Sequence, residues 1–138
     1  TSRARRSWLH GHRLIMLGIN TPKPLAFIEK RVGPILWQSY ILTEYARGCN
    51  LEAYLQKENV SEEQRKKCKQ NIAELMAKMH NNSITHGDFK RTNFIISGNE
   101  IYVTDLDAMK VHKLKFLFQH RMRKDIRRLE RMFLPKGR

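Results

Sequence analysis

Two aspartates, an asparagine and a lysine are the residues of this chain whose types and spacing are best suited to chemistry. Asp88, Lys90 and Asn93 lie in the stretch THGDFKRTNF, and Asp105 follows in VTDLDA. Carboxylate and amide oxygens are ligands that Mg²⁺ prefers when phosphate oxygens complete its coordination shell. Phosphoryl transfer requires such a metal, a base for the proton of the nucleophile and a cation near the transferring group. The set therefore predicts phosphoryl transfer.

Each of the four residues has a predicted role in that reaction. Asp88 is the predicted base and Lys90 the predicted cation. Asn93 and Asp105 are the predicted metal ligands. A single aspartate in a loop is more often a turn former or a cap, and we expect His86 to be a buried, hydrogen-bonded anchor of the loop. The prediction of chemistry therefore depends on the joint order of helix, acidic loop, hairpin and second acid.

A helix and a hairpin must position these loops. Ser61 and Gln64 fit a capping box, and apolar residues then recur at helical spacing as far as the sequence HNN. Two short apolar runs, FII at 94–96 and IYV at 101–103, are joined by SGNE. This pattern predicts a hairpin with Gly98-Asn99 as its turn. The acids thus lie on the loops that flank a small hairpin.

The remaining elements are predicted from apolar runs and capping residues. A first helix is expected at 4–16, strands at 25–29 and 40–45, and a last helix at about 118–133. Asn50 is a good N-cap for a short helix over LEAYL. We predict one mainly helical α+β domain. The predicted apolar sides are Trp8, Leu9, Ile15 and Met16 on the first helix and Met122, Ile126, Leu129 and Phe133 on the last.

Charge is the most unusual feature of the composition. The 138 residues carry a formal net charge of +14, which predicts attraction to nucleic acid, a membrane surface or a phosphorylated substrate. Residues 1–28 contain no acid, and residues 110–138 have a net charge of +9. Aromatic residues suited to base stacking are sparse in the C-terminal part, so we expect no nucleic-acid partner.

Cysteine usage and hydropathy limit which classes of metal site and membrane association are expected. Cys49 and Cys68 have neither CxxC nor Cys/His spacing, so no zinc site is predicted, and a reducing, cytoplasmic setting is expected. The longest apolar run, LIMLGI at 14–19, is far shorter than the roughly 20 residues that span a bilayer. No signal peptide is evident. We expect a chain that lies against a membrane and does not cross it.

Three stretches of the sequence resemble the protein-kinase-like fold. HGDFKRTN is similar to the catalytic loop H-x-D-x-K-x-x-N, and VTDLDA is similar to the segment that carries the metal-binding aspartate. ILTEYARGCNLEAYL resembles the hinge, and this implies that the backbone at Glu44 and Ala46 binds adenine. HGD in place of HRD and DLD in place of DFG look most like the bacterial lipopolysaccharide kinases. Those enzymes phosphorylate heptose or Kdo sugars of the lipid A core.

The resemblance implies an ATP- and Mg²⁺-dependent sugar kinase with a partial N-lobe and hinge at 1–46 and a helical C-lobe at 47–138. No Gly-rich phosphate loop and no V-A-I-K lysine precedes residue 40, so the chain is expected to begin inside the N-lobe. Asp107 replaces the usual glycine and is either a second metal ligand or a loop cap. Two alternatives are an atypical protein kinase with an HGD loop and a non-catalytic nucleotide-binding remnant. The residues predicted to bind nucleotide or metal are Glu44, Ala46, Asn93 and Asp105.

The basic residues of the last helix have two interpretations. Arg121, Lys124, Arg128 and Arg131 either form a solvated face opposite the apolar stripe or face anionic lipid. A cation near such a surface contributes about 1 kcal/mol of attraction. The second interpretation predicts a peripheral enzyme on the cytoplasmic face of the inner membrane, with the sugars of the lipopolysaccharide core and lipid A as its partner.

Overall fold

The computed structural model describes residues 1–135, so the last three residues of the predicted 47–138 lobe lie outside the described range. Helices and short antiparallel strands are both present, which agrees with the predicted α+β class. A 3₁₀ turn at Arg91–Asn93 precedes the fifth strand. The helices are α1 (Arg3–Met16), α2 (Leu51–Leu55), α3 (Glu62–Asn81) and α4 (Lys115–Met132). The strands are β1 (Pro24–Val32), β2 (Ile35–Thr43), β3 (Cys49–Asn50), β4 (Ile84–Thr85), β5 (Phe94–Ser97), β6 (Glu100–Val103) and β7 (Lys110–Val111).

The N-terminal part is a long hairpin of β1 and β2 with α1 packed against it. The two strands are antiparallel, with Phe27 opposite Ile41. Helix and hairpin approach closely because Gly11 faces Pro24, and a Cβ on that glycine would lie 2.4 Å from Pro24 Cγ. The Trp8 ring meets Phe27 edge-on at 5.5 Å between centroids. This helix and hairpin lie within residues 1–46, the range predicted as a partial N-lobe and hinge.

The C-terminal part is built around α3. Its capping box is present as predicted, since Ser61 Oγ accepts from the Gln64 N–H at 3.1 Å and Gln64 Oε1 accepts from the Ser61 N–H at 2.8 Å. Ile72, Met76 and Met79 of α3 are buried, which confirms the predicted helical periodicity. The other buried apolar residues of the core include Leu51, Ile84, Phe89, Phe94, Ile96, Ile101, Val103, Leu106, Met109, Leu129 and Met132.

The predicted hairpin is confirmed in β5 and β6. Phe94 pairs with Val103, and the turn lies at Gly98 and Asn99, where Gly98 has a φ of 60°. The pairing buries Phe94 and Val103 and leaves the chain ends on either side of the hairpin close together. Both acidic loops therefore leave the hairpin at the same end.

The boundaries of several elements differ from the predictions. The strand predicted at 40–45 begins at Ile35 and ends at Thr43, because it pairs along its whole length with a β1 that extends to Val32. Glu44 and Tyr45 consequently lie beyond the strand. The last helix begins at Lys115, three residues before the predicted start. The ends of both strands are set by their pairing with each other, which their apolar runs alone do not specify.

The predicted apolar side of α1 is correct only for Trp8, which packs against Phe27. Leu9 is 49% exposed and Met16 is 87% exposed, whereas Ala4, Gly11 and Leu14 are buried. Close approach of the helix to β1 requires a small residue at the contact, and Gly11 meets this requirement. Helix α1 therefore packs through Ala4, Gly11 and the core residue Leu14.

The buried side of α4 also differs from the predicted stripe. Leu129 is buried as predicted, but Asp125 and Met132 are the other buried residues, and Ile126 is only half-buried. A buried aspartate on a strongly basic helix requires polar partners inside the fold. Within residues 1–135, no helix has the length and apolar character needed to cross a bilayer.

Candidate active site

The loop after β4 is anchored by a buried histidine. His86 is fully buried, and its ring stacks on Phe89 at 4.9 Å between centroids. Its Nδ1 accepts from the Asp88 N–H at 3.2 Å, and its Nε2 donates to the Thr104 carbonyl at 3.0 Å. Burial lowers the pKa of His86, and only the neutral ring makes both contacts. The predicted role of His86 as a buried anchor is confirmed.

Asp125 of α4 holds the backbone of the same loop. It is fully buried, and its carboxylate accepts from the N–H groups of His86 at 3.0 Å and Gly87 at 3.1 Å. The His80 ring of α3 lies 3.0 Å from the same carboxylate. Sequence reasoning missed this residue, although an acid spaced like the apolar residues Leu129 and Met132 in a basic helix is a recognisable signal. One carboxylate thus fixes the loop to two helices.

The stability contribution of this carboxylate can be measured. We expect Asp125→Ala to lower the free energy of unfolding by about 3 kcal/mol, because two buried N–H groups lose their acceptor. Urea unfolding of the two proteins would measure this difference. Glu130→Ala removes an exposed acid from the same helix and should change stability by less than about 0.5 kcal/mol. Equal destabilisation by both changes would contradict the role given to Asp125.

Asp88, Lys90 and Asn93 are brought together as predicted. Asn93 Nδ2 donates to the Asp88 carbonyl at 2.9 Å and to Asp88 Oδ2 at 3.2 Å, and Lys90 Nζ lies 3.4 Å from Oδ2. The other oxygen, Oδ1, lies 3.5 Å from Arg128 Nη1 of α4. Arg128 was predicted only as part of a basic surface, so its contact with the loop is new. The Asp88 side chain is 36% exposed, which leaves it accessible to a bound molecule.

The hairpin register places Thr104, the residue before Asp105, beside Asn93. The Thr104 N–H donates to the Asn93 carbonyl at 2.8 Å, one step beyond the pair Phe94 and Val103. Asp105 itself has a φ of 56°, a left-handed conformation that is rare for residues other than glycine, asparagine and aspartate. This turn ends β6, and it places Asp105 on the wall of the cavity described next.

A cavity of about 640 Å³ lies between the hairpin β1–β2 and the loop after β6. Glu44, Ala46 and Asp105 line it, whereas Asn93, the fourth residue predicted to bind nucleotide or metal, does not. The Glu44 N–H donates to the Lys23 carbonyl at 2.9 Å, so the Glu44 carbonyl is the group that remains for a ligand. Apolar walls are contributed by Ile41, Ile95 and Leu106. A mostly apolar cavity with a few polar groups suits a planar base.

The loop after β6 presents carboxylate oxygens to this cavity. Asp107 forms an ion pair with Arg3 of α1 through Oδ2, while its Oδ1 is buried and has no hydrogen-bond partner among residues 1–135. In the described part of the chain, no three His, Cys, Asp or Glu side chains cluster closely enough to hold a metal by themselves. Asp105 and Asp107 line the cavity, and their carboxylates fit an ion that takes its other ligands from phosphate, as Mg²⁺ does.

The arrangement of helices and short antiparallel strands defines the class of this protein as a protein-kinase-like fold. A solved structure of WaaP in complex with acyl carrier protein has the same fold, with a TM-score of 0.66 and 21% identity over 97% of this chain and 67% of that chain. The model of the lipopolysaccharide kinase (Kdo/WaaP) family matches residues 1–137. The chain belongs to the lipopolysaccharide kinase (Kdo/WaaP) family.

Curated relatives of this chain include two proteins named 3-deoxy-D-manno-octulosonic acid kinase from Vibrio vulnificus. The protein of strain CMCP6 is 34% identical over 109 residues, and the protein of strain YJ016 is 33% identical over 109 residues. Each alignment covers 75% of this chain and 44% of the relative. The chain therefore spans less than half the length of these relatives.

Proposed function

We propose that the full-length protein is an ATP-dependent phosphotransferase that acts on a sugar hydroxyl of the lipopolysaccharide inner core, on a heptose or on Kdo. The observation that carries the proposal is the placement of Asp88. Its carboxylate is accessible, while the backbone of its loop is fixed to Asp125 and His86. An accessible base held in one orientation by a fixed loop is what transfer to a hydroxyl requires.

The residues of the loop take separate roles in the proposed reaction. Asp88 accepts the proton of the attacking hydroxyl, a weak acid for which a positioned base contributes about 10²–10⁴-fold. Lys90, 3.4 Å from Asp88, stabilises charge on the transferring phosphoryl group. Asn93 uses Nδ2 to orient Asp88, which leaves its Oδ1 as an acceptor. Mg²⁺ bound by Asn93 and Asp105 would neutralise the phosphate oxygens.

Transfer of labelled phosphate from ATP tests the proposal directly. The full-length protein is incubated with labelled ATP and Mg²⁺, and with lipopolysaccharide core or with a protein mixture as acceptor. Label in the core sugar is the expected result. Label in protein would support the atypical protein kinase, and ATP binding without transfer to either acceptor would support the non-catalytic remnant.

Adenine binding at the hinge makes a separate prediction. If the backbone of Glu44 and Ala46 holds the base, side-chain changes at Ala46 act through bulk in the cavity that it lines. We expect Ala46→Trp to weaken ATP binding by about 10- to 100-fold, the cost of overfilling a packed site. Ala46→Ser is the matched control and should stay within about twofold. Calorimetry measures both, and equal affinities would contradict a hinge at this position.

We further propose that the protein works at the cytoplasmic face of the inner membrane. The net charge of +14 supports this location, because basic surfaces are attracted to anionic lipid at about 1 kcal/mol per nearby cation. Arg121 and Lys124 of α4 remain candidates for that surface. Arg128 differs from them, since its guanidinium contacts the Gly87 carbonyl and the Asp88 carboxylate.

A further inference from the structure

A second cleft, of about 660 Å³, opens at Asp88 and shares no lining residue with the cavity at the hinge. One side of it is the loop segment from Asp88 to Thr92, and the other is the C-terminal half of α4 with the residues after it. Asp88 thus lies on the wall of a space separate from the nucleotide cavity. A space of that size at the predicted base is suited to the acceptor.

The charges of this cleft are strongly unequal. Lys90, Arg91, Arg128 and Arg131 line it, against two carboxylates, Asp88 and Glu52. The Glu52 carboxylate lies 3.2 Å from Arg91 Nη1. Arg91 also donates to the carbonyls of Met132 and Leu134, so its guanidinium is used in the fold. The positive charge that remains belongs to the residues beside Asp88 and on α4.

The two arginines of α4 have donors available to a ligand. Arg128 uses one nitrogen, Nη1, for both the Gly87 carbonyl and Asp88 Oδ1. In the part of the chain that the structure describes, its other two guanidinium nitrogens make no protein hydrogen bond, and the Arg131 side chain makes none. A guanidinium carries five N–H donors whose planar arrangement matches a carboxylate or a phosphate.

We propose that Arg128 and Arg131 bind an oxyanion of the acceptor sugar, a carboxylate or a phosphate, and so place the hydroxyl at Asp88. The proposal rests on the function proposed above and adds the recognition of the acceptor. Arg128 contacts both the base and the anion, so it positions one against the other. Arg131, one turn further along the helix, completes the anion site.

Calorimetry without nucleotide tests the anion site independently of catalysis. The full-length protein is titrated with the methyl glycoside of 3-deoxy-D-manno-octulosonic acid, with the methyl ester of that glycoside, and with glucose 6-phosphate against glucose. We expect wild type to bind one anionic ligand at least about tenfold more tightly than its neutral counterpart. The pair of ligands whose affinities differ identifies the preferred anion as a carboxylate or a phosphate.

Two variants test whether arginine on α4 causes the preference for the anionic ligand. Arg131→Gln should remove it, lowering affinity for the anionic ligand about tenfold and leaving the neutral ligand unchanged. Arg127→Gln is the matched control, because Arg127 is an exposed arginine of the same helix that does not line the cleft. Equal losses in both variants would mean general attraction to a basic helix and would overturn the proposal.

Steady-state kinetics separates this proposal from the proposed function. With an anionic acceptor, Arg131→Gln should raise KM for the acceptor about tenfold and leave KM for ATP unchanged. An unchanged KM for the acceptor, with normal turnover, would overturn the anion site and leave the kinase function intact. Absence of turnover in wild type, with the anion preference preserved in calorimetry, would overturn the kinase function and leave the anion site intact.

Discussion

Replacement of Asp88 by asparagine in the full-length protein is expected to lower kcat by about 10²–10⁴-fold with little change in KM for ATP. Asparagine is nearly isosteric with aspartate, so the change removes the base without removing its bulk. The contacts of Asp88 explain why the loss falls on kcat. Asn93 and Arg128 orient its two oxygens, and neither contact belongs to the cavity at the hinge.

The comparison for Asp88→Asn is Lys90→Met, a change at the other charged residue of the loop. It should also lower kcat, because it removes charge stabilisation that grows in the transition state. Steady-state kinetics with delipidated core oligosaccharide measures both variants. A loss confined to KM for ATP would move Asp88 from the base role to nucleotide binding. Unchanged rates in both variants would make the loop structural and refute the kinase function.

Replacement of Asp105 by asparagine should lower turnover by at least about 10³-fold. The reason is that a metal ion bound to the phosphate oxygens lowers the activation free energy by several kcal/mol. Asparagine tolerates the left-handed backbone that Asp105 adopts at a φ of 56°, so the fold should survive the change. Circular dichroism checks the fold, and calorimetry checks whether Mg²⁺ still strengthens ATP binding. We expect that Mg²⁺ dependence to be lost.

The control for Asp105→Asn is Glu100→Gln, which removes a carboxylate from the far end of the same hairpin. Its side chain is exposed and accepts from the Tyr102 hydroxyl, away from the cavity. Glu100→Gln should retain normal turnover. Asp105→Asn activity within a few-fold of wild type would contradict the role of Asp105 as a metal ligand.

Local signals explain which parts of the fold and site were predictable. The capping box of Ser61 and Gln64 and the turn at Gly98 each depend on residues three or fewer positions apart, and both were predicted correctly. The contact of Asp88 with Asn93 spans five residues within one loop. Such features depend only on short stretches of sequence, so residue types and spacing are sufficient to predict them.

The parts that were missed depend on residues distant in sequence. Asp125 reaches His86 across 39 positions, and Arg128 reaches Gly87 across 41. The ladders β3–β5 and β4–β7 pair only two residues each, too few for a periodic pattern. The inward side of α1 depends on the close approach of Gly11 to Pro24, which no property of the helix itself reveals.

The carboxylate of Asp125 has a consequence for hydrogen exchange. The amides of His86 and Gly87 lie in a loop, yet their acceptor, the Asp125 carboxylate, belongs to α4. These amides are protected from exchange while the loop and α4 remain in contact. The loop and the helix therefore belong to one cooperative unit, and the amides exchange when that unit opens. Any change that loosens α4, even far from the cleft, therefore increases the fraction of molecules in which the loop of His86 and Gly87 is open.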